Sequence, residues 1–337
     1  MSPLDIMIVG PHGNTHLAGS LARAGGELGL KILSIDTAPA YNSNVVLKSL
    51  YWRLGKRRAV HMRRFSENVA AALTAAGPRV LLTIGQLPLD NTVISLAQRE
   101  GVLCVHWSTD DPWNAACIAG WYLRTLAQYD LILTPRRSNI SDLEKLGCRQ
   151  VIWMPFGYDP GLFAKPPDQP CLEPVYDVVF VGGADKDRAG FFVDFIRHGG
   201  APVFVGAYWQ RWPEFRERAL GSKNAEELTL ITATAKVNLC LVRRANRDGH
   251  VMRSFEIPAV GGFMLAENTA EHRELFGPEG EAVLYFATAS EAAQKVEWAL
   301  ENPKDRRRMA AAAHELVRRG NHTYRHRLES LLDLVTR

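Results

Sequence analysis

Arg253-Ser-Phe-Glu256-Ile-Pro-Ala-Val-Gly261-Gly262-Phe-Met-Leu265-Ala is the stretch on which the fold turns. Its arginine and glutamate stand three residues apart, on one face of a helix. The double glycine ends that helix, and the apolar run behind it restarts as a strand. This order delivers a guanidinium and a carboxylate to a helix start beside a glycine turn, under the end of a parallel strand. A ligand with both hydroxyls and phosphates suits such a pair, and a nucleotide sugar is one.

Working upstream, Phe180-Val-Gly182-Gly183-Ala-Asp-Lys186-Asp-Arg188 reads as a strand, a glycine turn and a basic helix start. Glycines let backbone approach a phosphate, and a helix N-terminus adds partial positive charge. Lys186 and Arg188 would add charge-assisted bonds; the alternative is an ordinary turn with solvated charges. Glu256 would accept hydrogen bonds from a ribose diol, as an acidic residue does in dinucleotide folds. Arg253 would face a diphosphate, with Gly261 in the same binding set. Asp248, on the loop Arg243-Arg-Ala-Asn-Arg-Asp248-Gly-His-Val, would hold sugar hydroxyls or simply form an Asp-Gly turn.

Around these motifs the chain alternates short apolar strands with helices. The first half reads as strands at 6–9, 32–35, 80–84, 102–106 and 131–134, with a long helix over 58–75 and another from the Asp110-Asp111-Pro112-Trp113 turn to about Gln128. Lys165-Pro-Pro-Asp-Gln-Pro170 is the most proline-dense stretch and reads as a linker. Strands at 178–181, 203–205, 237–241, 263–266 and 283–285 follow, and a helical tail over 304–335 breaks near Gly320. Buried strands alternating with helices predict parallel sheets covered on both faces. The predicted domains are 1–160, a linker 161–176, a second domain 177–320 and a terminal helix 321–337 that returns to the first domain.

In the first half, His106 ends a buried strand, where it would contact a sugar or move a proton, or be a satisfied structural histidine. Asp110 and Asp111 would serve acceptor binding or catalysis, or form a turn and helix cap. Gly13 and Asn14 would line the acceptor side. No Gly-x-Ser-x-Gly elbow supports a Ser-His-Asp hydrolase. The cysteines at 104, 117, 148, 171 and 240 are odd in number and scattered, which fits reduced thiols and no metal site.

With 47% apolar and 23% charged residues, the 337-residue composition is that of a soluble globular protein with core enough for two domains. No signal peptide and no apolar run of about 18 residues are found, so a cytoplasmic protein is expected. The net charge of +4 is small and no nucleic-acid-binding motif occurs, so nucleic acid is not expected. Lys48 to Arg64, however, holds seven Lys/Arg and no acid, interleaved with Tyr51, Trp52 and Leu54. It reads as a solvated basic helix face, or as a weak contact for an anionic acceptor or lipid surface that would place the protein at the membrane periphery.

Tyr129-Asp-Leu-Ile-Leu-Thr134, Trp153-Met-Pro155-Phe-Gly157-Tyr-Asp159-Pro-Gly-Leu-Phe163, Phe180-Val-Gly182-Gly183, Arg253-Ser-Phe-Glu256 and His322-Thr-Tyr-Arg-His-Arg327 together resemble a GT-B glycosyltransferase, and more narrowly the CgeB-like (spore-maturation-type) group. The resemblance covers roughly residues 80 to 335. It implies an α/β fold of two facing Rossmann-like doubly wound domains with a cleft between them, acceptor side first and donor side second. It also implies a retaining transferase that needs no metal or other cofactor, takes a nucleoside-diphosphate sugar as co-substrate and delivers the sugar to an acceptor hydroxyl. Two positions depart from the family pattern: Asp248 stands where a glutamate is usual, and Phe156 where the hinge motif has asparagine. A non-catalytic nucleotide- or glycan-binding protein, and a sugar-nucleotide epimerase, are the alternatives.

Overall fold

The structure, a computed structural model, describes residues 4–13, 15–166 and 175–335. Asn14, Cys171 and most of the proline-dense stretch lie outside them. The chain forms two compact units. The first takes the chain as far as Pro155, the tripeptide Ala245–Arg247 and the segment from Tyr324; the second takes Phe156–Arg244 and Asp248–Thr323.

In the first unit β1 (Ile6–Gly10), α1 (Leu17–Glu27), β2 (Ile32–Asp36), α2 (Ala38–Tyr41), α3 (Val45–Arg53), α4 (Met62–Ala76), β3 (Val80–Ile84), α5 (Asn91–Arg99), β4 (Leu103–Trp107), α6 (Gly120–Leu126), β5 (Leu131–Thr134), α7 (Arg137–Lys145) and β6 (Val151–Trp153) follow one another. The strands form a six-stranded parallel sheet in the order β2-β1-β3-β4-β5-β6. β1 and β3 are buried along their whole length, which is why both faces of these strands are apolar. α4 closes one face with Met62, Phe65, Val69 and Leu73, spaced three and four apart, and Gly77 in the left-handed region ends it.

The second unit runs β7 (Val178–Val181), α8 (Lys186–Arg197), β8 (Pro202–Val205), α9 (Ala225–Thr234), β9 (Val237–Cys240), α10 (Arg253–Ala259), β10 (Met264–Glu267), α11 (Ala270–Phe276), β11 (Leu284–Phe286), α12 (Ala289–Glu301) and α13 (Pro303–Arg319). Its five-stranded parallel sheet has the order β11-β10-β9-β7-β8. One face is packed by an aromatic cluster of Phe180, Phe192, Phe195, Phe204, Trp209 and Phe215. α14 (Tyr324–Val335) follows the break at Gly320 and packs on α1 in the first unit.

Several elements depart from the sequence reading. The long helix expected from Arg58 starts at Met62, with His61 as its N-cap in a non-helical conformation (φ −109°, ψ 28°). The helix expected directly after Trp113 begins at Gly120, because Asp111 and Asn114 side chains hold the intervening turn: Asp111 Oδ1 accepts from Trp113 N at 2.9 Å and Asn114 Oδ1 from Ala116 N at 2.9 Å. β6 and α11 are short and were not expected; α11 is set by Thr269, whose hydroxyl caps His272 N at 3.0 Å.

Candidate functional site

In the second sheet the chain moves from β7 outward to β8 and then back past β7 to β9. The carboxyl ends of β7 and β9 therefore flank the topological switch point, the place where open α/β sheets bind ligands. Both loops that carry the predicted donor residues leave the sheet here.

The loop after β7 is built around its glycines. Gly182 N donates to Val205 O at 2.8 Å, and Gly182 O accepts from Trp209 Nε1 at 2.7 Å. Asp185 is the N-cap of α8 and accepts from Arg188 N at 2.9 Å, an Asp-x-x-Arg arrangement that fixes the first turn. Arg188 then folds back over its own loop. Its Nη1 donates to Gly183 O at 3.0 Å, and its guanidinium carbon lies 5.4 Å from the Phe180 ring centroid. Arg188 Nε is buried and makes no hydrogen bond among the described residues; Asp185 Oδ2 stands 3.9 Å away, an electrostatic neighbour beyond hydrogen-bond reach. Burial lowers the Arg188 pKa, with Asp185 and Asp248 opposing that and Arg243 reinforcing it. Arg243, from the loop after β9, lies 3.7 Å from the same Asp185 carboxylate. Two guanidiniums thus converge on one carboxylate at the switch point, with exposed Lys186 on the first turn of α8.

Gly206, at the end of β8, keeps this loop in place. Its φ is +144°, and a Cβ there would run into the Gly182 carbonyl. Gly206→Ala is expected to cost about 2 kcal/mol through backbone strain and loop displacement. Thermal unfolding measures that loss, and an unchanged Tm would count against the close approach.

After the β9 loop, α10 begins with Arg253. Arg253 Nη1 donates to Glu256 Oε2 within the first turn, so the two predicted ligands hold each other. Glu256 is 2% exposed. Burial pushes its carboxyl up; Arg253 opposes the shift, and the charge of Asp159 adds to it. Arg253 is also stacked over Phe163, its guanidinium carbon 5.5 Å from the ring centroid. Gly261 lies elsewhere: at φ +79° it turns the chain out of the far end of α10, next to the Lys165 side chain, away from Arg253. Asp248 is half-buried and acts electrostatically on Arg188, which places it with the switch-point cluster.

Two buried histidines frame this loop. His250 Nε2 accepts from Phe156 N at 3.1 Å, so its Nδ1 carries the proton and donates to Glu271 Oε2 at 2.5 Å. The family-departing Phe156 is thus a core residue, its ring edge-on to His250 at 5.8 Å. His272 Nδ1 donates to Glu267 O at 2.7 Å, leaving Nε2 to accept from Ser254 Oγ at 2.7 Å.

The first-unit candidates separate. His106 has no exposed surface: Thr83 Oγ1 lies 2.8 Å from Nδ1 and Tyr122 OH 2.7 Å from Nε2, the placement of a structurally satisfied histidine. Burial pushes its pKa down to about 3. Asp111 is engaged within its own unit: Arg247 donates to it from Nε at 2.5 Å and Nη2 at 3.1 Å, and Trp113 N donates to its Oδ1 at 2.9 Å. Asp110 Oδ1 accepts from Asn246 Nδ2 at 2.9 Å. Gly13 is exposed in the loop after β1, at the switch point between β1 and β3, whereas Asn14 lies outside the described residues.

Asp185, Arg243, Arg247 and the His250–Glu271 pair were not singled out from the sequence. Asp185 had a signal, a capping residue directly before a helix. Among the described residues no group of three or more His, Cys, Asp or Glu is arranged to hold a metal ion, and no helix is long and apolar enough to cross a membrane.

Residues 187–333 match the family model Glyco_trans_1_2, described as glycosyl transferase-like. The match spans α8 to α14 and so includes Arg188, Arg253 and Glu256. No curated protein matches the chain. Among solved structures, sucrose-phosphate synthase from Thermosynechococcus elongatus is 14% identical, covers 99% of each chain and superposes with a TM-score of 0.72. Anabaena Alr3699/HepE in complex with UDP and glucose is 11% identical over 99% of each chain, TM-score 0.68. A glycosyltransferase from Rickettsia africae ESF-5 is 12% identical over 99% of this chain and 98% of its own, TM-score 0.63. The fold is therefore α/β, two parallel-sheet Rossmann-like domains of the kind found in GT-B glycosyltransferases.

Proposed function

We propose that the protein is a glycosyltransferase of the CgeB-like group, moving a sugar from a nucleoside-diphosphate sugar to an acceptor hydroxyl with retention of configuration. The observation that carries this reading is Arg188, whose desolvated guanidinium keeps a buried Nε without a hydrogen bond at the switch point of the second sheet. A diphosphate oxygen is the acceptor that would satisfy it, with Arg243 and Lys186 adding charge and the Gly182–Gly183 backbone allowing close approach. Cationic side chains then stabilise the leaving diphosphate without a metal ion. Glu256 accepts from the ribose diol, and Asp248 holds hydroxyls of the donor sugar.

The similarity to HepE, whose structure holds UDP and glucose, makes UDP and UDP-glucose the first probes. Arg188→Ala is expected to weaken UDP and inorganic pyrophosphate alike by about tenfold, the loss of one charge-assisted bond. Calorimetry with both ligands checks this, and unchanged affinities would remove Arg188 from the site. Release of UDP that depends on a supplied acceptor, with the sugar recovered on that acceptor in its original anomeric form, would establish transfer. Binding without turnover across a panel of donors would establish instead a nucleotide-binding protein without catalysis.

A further inference from the structure

α3 (Val45–Arg53) has no buried residue. Val46, Leu47, Leu50, Tyr51 and Leu54 follow the three- and four-residue spacing of one helix face. In a soluble domain such a stripe turns inward. Here every one of the five is exposed, Val46 to 77% and Leu54 to 75%. Lys48 and Arg53 flank the stripe, with exposed Trp52 beside them under the Arg57 guanidinium at 5.7 Å.

The helix is held out by its foot, not by packing. Asn44 caps it, accepting from Leu47 N at 2.8 Å. Beyond Leu54 the chain turns through Lys56 and Arg57, both left-handed, a conformation that is unfavourable for side-chain-bearing residues and needs compensation. Hydrogen bonds supply that compensation: Arg57 Nη2 donates to Ala115 O at 3.0 Å, Nη1 donates to Ile118 O, and Lys56 O accepts from Trp121 Nε1 at 3.0 Å. A strained, bonded turn that presents an apolar helix to the outside requires an occupant for that helix.

Charge selects the occupant. Between Asp36 and Glu67 the sequence has seven Lys/Arg and no acidic residue. A second copy of the chain would bring its own seven cations against these. An anionic lipid surface complements both features: the apolar stripe enters the acyl boundary, while Lys48 and Arg53 reach the headgroup phosphates along their aliphatic stems. We propose that α3 is an interfacial anchor that seats the first unit on an anionic lipid bilayer. The proposal stands apart from the donor-site reading, since none of its residues lies in the second unit.

Sedimentation of the full chain with vesicles tests it. Phosphatidylcholine vesicles containing about a third phosphatidylglycerol are expected to carry the protein down, and pure phosphatidylcholine vesicles are not. Leu50→Asp, at an exposed position and with unchanged Tm, is expected to lower vesicle partitioning about tenfold by placing a charge in the apolar stripe. The double change Lys48→Glu, Arg53→Glu is expected to lower it at least as much. No sedimentation with anionic vesicles would overturn the proposal, and so would Leu50→Asp binding as well as the parent chain. Light scattering that reveals a dimer dissolved by Leu50→Asp, with no vesicle binding, would overturn it in favour of a second copy.

Discussion

Glu256→Ala is expected to raise the Kd for UDP about a hundredfold, close to 3 kcal/mol, while leaving the affinity for inorganic pyrophosphate unchanged or improved. The asymmetry follows from the geometry of α10. Glu256 is buried, its carboxyl is pushed up by burial, and among the described residues its ion-pair partner is Arg253 on the same turn. Burying a carboxylate beside a single guanidinium leaves lone pairs to satisfy, and a vicinal diol supplies two donors in one plane. Removing the carboxylate deletes the diol contact and at the same time frees Arg253, which a diphosphate would welcome.

The two ligands separate contact from positioning. If Glu256 acted only by aiming Arg253, UDP and pyrophosphate would lose affinity together. If neither changed, Glu256 would stand outside the site. The substitution is also expected to lower Tm, because it leaves Arg253, a partly buried cation, without its carboxylate. Glu256→Gln, which keeps the shape and one acceptor oxygen, is expected to retain more UDP affinity than Glu256→Ala. A purely electrostatic role would make the two variants equal, since both remove the charge.

The alternation of strands and helices was legible because parallel strands buried on both faces read as continuous apolar runs: Ile6–Gly10, Val80–Ile84 and Val178–Val181 announce themselves by composition. The glycine turn after β7 and the Arg253–Glu256 spacing were legible for the same reason, since both are local in sequence. What stayed hidden depends on partners far along the chain. Arg247 looked like one more loop cation, yet it closes on Asp111 from 136 residues away and so occupies a candidate acceptor group. By pattern alone His106 could have contacted a sugar, moved a proton or been a satisfied structural histidine; the hydroxyls of Thr83 and Tyr122 that engage both ring nitrogens come from elsewhere in the chain. The left-handed turn at Lys56 and Arg57 is held by partners 58 to 65 residues away, the carbonyls of Ala115 and Ile118 and the Trp121 indole, and so has no local signal.

Burial holds His106 in the first unit and His272 in the second in their neutral form, and the protein is therefore expected to lose stability steeply on acidification from pH 7 to 5. Burial pushes His106 down to about 3 and His272 to about 4, against an ordinary value of 6.5. In the unfolded chain both rings take up protons as the pH falls through 6.5; in the folded units they do not until much lower pH. The unfolded state thus binds more protons, so stability is fully present above 6.5 and declines as pH falls toward 4 for His272 and toward 3 for His106. Below about pH 6 each ring contributes a slope near 1.4 kcal/mol per pH unit, which amounts to about 2 kcal/mol per ring by pH 5. Burial is the main reason protonation is resisted, against the opposing pull of the Glu267 carbonyl on His272, and the Ser254 contact adds a geometric one. His272 uses Nδ1–H on the Glu267 carbonyl and needs Nε2 bare to accept from Ser254, so a second ring proton would face the Ser254 hydroxyl and force it to turn. Urea unfolding at a series of pH values measures the slope for each unit. His272→Gln should remove one ring's share from the second unit and leave the first unit's acid sensitivity intact, and His106→Gln the converse. A stability that is flat from pH 7 to 5, or a slope that neither substitution reduces, would mean that these rings are not held neutral by the packing that surrounds them.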